Sequence, residues 1–148
     1  MGNTRLDEET FYAILDNILH TTALNNVIFR FQDNEFLSMF YTAEADMQTL
    51  GNSLLSSINQ MKLYLKKYDF FIKYHSFDPK IPQLLDILEY ILKAKNGGGV
   101  SACKIKYSKG ADLYYIFISA YNKNSMSEHR NLQIALYEAI YKLSSQFL

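Results

Sequence analysis

The sequence predicts an α+β fold: an antiparallel sheet of four to five strands with four helices packed mainly on one face. Three observations carry this expectation. The order helix, two short strands, helix is read twice, over residues 7–67 and again over residues 81–147. Apolar residues recur at helical spacing in some segments and alternate with a period of two in others. Each half alone would leave a hydrophobic face uncovered, so the halves are expected to share one sheet and one core. At 148 residues the chain has the usual length of a single domain, with the element order αββα-(β)-αββα over residues 1–148.

The first helix is marked by Phe11, Ile14, Leu15, Ile18 and Leu19, one buried stripe. Asp7, Glu8 and Glu9 sit at its first turn, where carboxylates suit the exposed N–H groups better than they suit a metal. A hairpin follows, with Val27, Phe29 and Phe31 alternating with Ile28, Arg30 and Gln32, a turn at Asp33-Asn34, and a return over residues 35–41. Phe36 and Phe40 face opposite to Leu37, Met39 and Tyr41, so that strand is expected to be central or covered on both sides.

A second helix is expected after Thr42, with Glu44 and Asp46 in its first turn and a stripe of Met47, Leu50, Leu54, Ile58, Met61 and Leu65. Its other face, with Asn52, Ser53, Ser56, Asn59 and Gln60, is polar but nearly uncharged and allows close approach of another surface. Residues 68–77 read equally as a fifth strand or a buried connector. Asp78-Pro79 and Pro82 open a third helix with Ile81, Leu84, Leu85, Leu88, Ile91 and Leu92 inward. Lys93 and Lys95 complement its C-terminal end, and residues 96–99 stop it.

The second hairpin spans residues 100–107 and 113–121. Alternation turns Cys103, Ile105, Ile116 and Ile118 inward and leaves Lys104, Lys106, Tyr115, Phe117 and Tyr121 on the other face. Ser125-Met126-Ser127-Glu128 reads as a capping box opening the last helix. That helix buries Leu132, Ala135, Leu136, Ala139, Ile140, Leu143 and Phe147, with Ile134, Tyr137 and Tyr141 widening the stripe.

Composition narrows the function classes. The chain has 12 Tyr and 10 Phe but no Trp, and Tyr suits half-exposed sheet faces and interfaces. The single cysteine excludes an intramolecular disulfide and a multi-cysteine zinc site. The polar, acidic residues 1–9 do not resemble a signal peptide, and no apolar run approaches a membrane span, so a cytoplasmic protein with no membrane contact is expected. Net charge is zero but polarised: residues 1–61 hold two arginines against eight carboxylates, and residues 62–109 hold ten lysines against four. Such polarity serves either the attraction of the halves or an acidic partner.

No cluster amounts to an active site. Gly97-Gly98-Gly99 follows a helix and precedes a strand, the reverse of a phosphate-cradling loop. His20, His75 and His129 lack metal-ligand spacing, and Cys103 falls on the core side of its strand, without a partner to activate it. No catalytic residue, cofactor or metal is therefore expected. Lys104, Lys106, Tyr115, Phe117 and Tyr121 form the candidate binding face. The expectation is a non-catalytic regulatory or inhibitory protein-binding domain, immunity- or inhibitor-like, acting by occupying a partner's surface, with a homodimer as a further use of such a face. The alternatives are nucleic-acid binding by the Lys/Tyr face and a small-ligand sensor.

Overall fold

The computed structural model describes residues 3–20, 26–41, 46–64, 77–97 and 99–146. Glu44, Leu65, His75, Phe147 and all but Phe77 of the expected strand or connector over residues 68–77 lie outside them. Helix α1 (Arg5–Leu19) opens on a capping box: the Thr4 hydroxyl accepts from Asp7 N and the Asp7 carboxylate accepts from Thr4 N. Strands β1 (Asn26–Gln32) and β2 (Glu35–Tyr41) follow. Asp33 (φ 55°) and Asn34 (φ 64°) make their two-residue turn; both take positive φ, as a turn matched to strand twist requires. Next come β3 (Asp46–Gly51), α2 (Leu54–Tyr64) and α3 (Leu85–Leu92). A short ribbon of β4 (Lys95–Asn96) and β5 (Gly99–Val100) leads to β6 (Ala102–Ser108), β7 (Leu113–Ala120), β8 (Lys123–His129) and α4 (Leu132–Ser145).

The main sheet has six strands in the order β3-β2-β1-β6-β7-β8, every neighbouring pair antiparallel. Two three-stranded meanders thus meet at a central seam, β1 against β6, with Asn26 opposite Lys106 and Arg30 opposite Ala102. Helices α2 and α4 follow the outermost strands β3 and β8, so each half reads helix, three strands, helix. The core lies between the helices and one sheet face, where Phe11, Leu15, Val27, Phe29, Phe40, Ile105, Ile116, Ile118 and Leu136 are buried.

The α+β class and the four helices follow the expectation, while the sheet has six strands rather than four or five. The third strand of each half is the correction. Residues 46–51 form β3 rather than the start of a helix, and residues 123–129 form β8 rather than a cap. The cause is the same in both. Each strand turns hydroxyl residues toward the helix that follows it: Thr49 Oγ1 donates to Ser57 O at 2.6 Å, Ser125 Oγ donates to Ala139 O at 2.8 Å, and Ser127 Oγ donates to Ala135 O. Apart from Met47 of β3, the buried face of these strands carries polar, satisfied residues, so the apolar period that marks a strand is missing. Asn131, not Ser125, caps α4, accepting from Ile134 N at 3.0 Å.

Helix α3 begins at Leu85, later than Pro79 and Pro82 suggest. The preceding stretch is pinned instead by the buried Gln133 of α4, whose amide accepts from Asp78 N and donates to Asp78 O. Gly97 (φ 61°) does not simply stop α3; it turns the β4–β5 ribbon, with Lys95 opposite Val100. Among the described residues no helix is long and apolar enough to cross a membrane.

Candidate functional site

One face of the sheet lies under the helices; no described element covers the other. Register fixes which residues share that open face, since directly paired residues point the same way. One row crosses five strands: Met39 of β2, Ile28 of β1, Lys104 of β6, Phe117 of β7 and Met126 of β8. A second contains Leu50, Leu37, Arg30, Ala102 and Ser119, and a third contains Asn26, Lys106, Tyr115 and Glu128. Met126 of β8 is 65% exposed and Leu50 of β3 is 48% exposed, so the apolar residues of the outer strands are open to water, whereas Ile28, Met39 and Phe117 are half-buried and Leu37 is buried. Two outward-facing Met residues give this surface adaptable side chains that mould to a second surface.

Four of the five residues expected at the site therefore lie together. Lys104 and Lys106 are exposed, and Tyr115 and Phe117 are half-buried beside them on β7. Tyr121 is elsewhere. It occupies the β7–β8 turn with φ 57°, an unusual conformation for a bulky residue, and packs against the edge of the core. There it lines an open groove of about 380 Å³ with Ile87, Tyr90 and Ile91 of α3 and Leu143 of α4. Burial, then the neighbouring Tyr90, raises its phenol above the ordinary value. Strand parity alone placed Tyr121 outward; the left-handed turn at Tyr121-Asn122 breaks that parity.

Ile28, Arg30 and Met39 belong to the face but were not assigned to it from sequence, although their alternation with Val27, Phe29 and Phe40 was visible. Met126 was hidden because its strand reads as a helix cap. Electrostatically the centre of the face is basic, with Arg30, Lys104 and Lys106 on the two seam strands. Carboxylates lie toward the periphery, Glu128 on β8 and Glu35 beside the β1–β2 turn.

Away from this face, His20 caps the C-terminal end of α1. Its Nε2 is 2.8 Å from the Tyr114 hydroxyl, which also donates to Asp16, and its ring lies 4.1 Å from that of Tyr107. Tyr107 donates to Asp112 at 2.9 Å; burial first, then this acceptor, raise its phenol above the ordinary value. The cluster ties the end of α1 to the ends of β6 and β7. Cys103 sits on the core face with its thiol pushed up to about 12 by burial. His129 is at the end of β8, not in a helix, and its Nδ1 accepts from Asn131 N. Comparison with protein-family models, with curated proteins and with solved structures found no match.

Proposed function

We propose that this protein is a non-catalytic binding domain that regulates or inhibits a partner protein by covering its surface. The observation that carries the reading is the sheet face without a covering described element, where Met39 and Ile28 on one side and Phe117 and Met126 on the other flank the exposed Lys104. Exposed apolar side chains interleaved with charged ones suit a docking surface that combines contact area with charge complementarity. Aromatic anchors such as Tyr115 and Phe117, flanked by long cationic side chains, supply contact area at low entropic cost.

The test uses the full chain as bait in an extract of its native source. The wild type is expected to retain one partner in stoichiometric amount, and Tyr115→Ala with Phe117→Ala is expected to lose it while the circular dichroism spectrum is unchanged and the melting temperature falls by only a few degrees. Equal retention by both proteins refutes the reading. Nucleic-acid binding is the second reading, favoured by Lys104 and Lys106 lying directly across from Phe117 and Tyr115. It predicts capture that disappears after nuclease treatment and weakens steeply with salt.

A further inference from the structure

We infer that the partner is acidic where it meets the sheet, presenting carboxylates among apolar side chains to the seam between β1 and β6. The inference rests on the reading that the open face docks a protein. Arg30, Lys104 and Lys106 occupy adjacent rows of the two central strands, with neighbouring Cα positions about 7 Å apart. Among the described residues none of the three makes an ion pair. Lys104 and Lys106 are exposed and Arg30 is half-buried, so carboxylates on a partner's surface meet these three charges without entering the fold. The surrounding Ile28 and Phe117 require apolar neighbours between those carboxylates.

The same charges argue against a second copy as the occupant. A two-fold axis through the middle of the face sets cations against their own copies. Sliding the copies until Glu128 reaches the seam gives up about half the overlap of a face roughly 24 Å wide, leaving far less than a stable interface buries. An all-phosphate ligand satisfies Arg30 but leaves the apolar row of Met39, Ile28, Phe117 and Met126 against water.

The experiment pans the immobilised full chain against a displayed library of random peptides of about twelve residues, long enough to cross the sheet. Enriched peptides are expected to combine Asp or Glu with aliphatic or aromatic residues. Their binding is expected to fall about tenfold on the triple variant Arg30→Gln, Lys104→Gln, Lys106→Gln, and about tenfold on Phe117→Ala with Met126→Ala. Peptides lost on the apolar variant but kept on the glutamine variant, or lacking acidic enrichment, overturn this inference and leave the docking reading standing. Peptides indifferent to both variants overturn both. A labelled thymidine 20-mer that binds the wild type and not the glutamine variant, or a dimer in sedimentation that Phe117→Ala dissolves, replaces the acidic partner with nucleic acid or a second copy. Unchanged circular dichroism of each variant keeps every outcome interpretable.

Discussion

The carboxylate of Glu8 in α1 accepts a hydrogen bond from the backbone N–H of Leu84 at 2.8 Å, and its other oxygen accepts from Leu85 N at 3.0 Å. Helix α3 has no side-chain cap of its own, so α1 caps it from 76 residues away. Glu89 of α3 repeats the device by accepting from Leu54 N at 2.7 Å, which caps α2. Three helices are thereby locked in relative position by two carboxylates placed against positive helix ends.

Glu8→Ala strands two buried N–H donors and removes the carboxylate to which the Tyr12 hydroxyl donates at 2.6 Å. The expected loss is about 3 kcal/mol, since each unsatisfied buried group costs roughly 1–3 kcal/mol and some relaxation occurs. Urea unfolding should show a lower midpoint with an unchanged slope. A midpoint equal to that of the wild type would remove the tertiary cap from the account.

At Gly51, close approach rather than φ demands glycine. A Cβ there would lie 2.2 Å from Ser56 Oγ and 2.5 Å from Ser57 N, the start of α2. Gly51→Ala is expected to push α2 off β3 and destabilise by roughly 1–3 kcal/mol, the ordinary range for overpacking. Backbone amide exchange should accelerate in residues 54–61 more than in α4. Uniform acceleration would instead point to global loosening.

Phe29 and Phe117 test which face is covered. Phe29 is fully buried on the helix side of β1, whereas Phe117 sits on the open side of β7. Phe29→Ala is expected to cost about 4 kcal/mol and Phe117→Ala about 1 kcal/mol or less, by chemical unfolding. Similar costs at the two positions would mean that both faces are packed in the monomer.

Cys103 gives a pH signature. Burial pushes its thiol up to about 12, while in the unfolded chain it ionises near 8.5, as free cysteine does (about 8.5). The native state therefore favours the neutral thiol. Its contribution is complete below the unfolded pKa and is lost as pH rises from there toward the folded value, with a slope of about 1.4 kcal/mol per pH unit. Cys103→Ala should flatten the fall in stability between pH 9 and 10.5, followed by urea unfolding. Iodoacetamide should modify the thiol only as fast as the protein opens; rapid labelling of the native protein contradicts its burial.

Legibility of the sequence followed apolar contrast. Helix α1, the Asp33-Asn34 hairpin and the inward row of Cys103, Ile105, Ile116 and Ile118 were readable because buried positions were apolar and their neighbours were not. Strands β3 and β8 were not, since Thr49, Ser125 and Ser127 face the core while Leu50 and Met126 face water. The signal that could have located β8 was Asn122, a residue tolerant of positive φ directly after a strand. The candidate face was legible on the hairpin of β6 and β7. Its remaining half, on β1 and β2, required knowing that β1 pairs with β6.

That seam also governs how the chain reaches its native state. Each meander closes through contacts between neighbours in sequence, but joining Asn26 to Lys106 must wait for two separately folded pieces to find each other. Assembly should thus resemble the docking of two subunits that happen to be tethered. A chain cut between the pieces should regain the native circular dichroism spectrum when they are mixed, with a rate that rises with concentration.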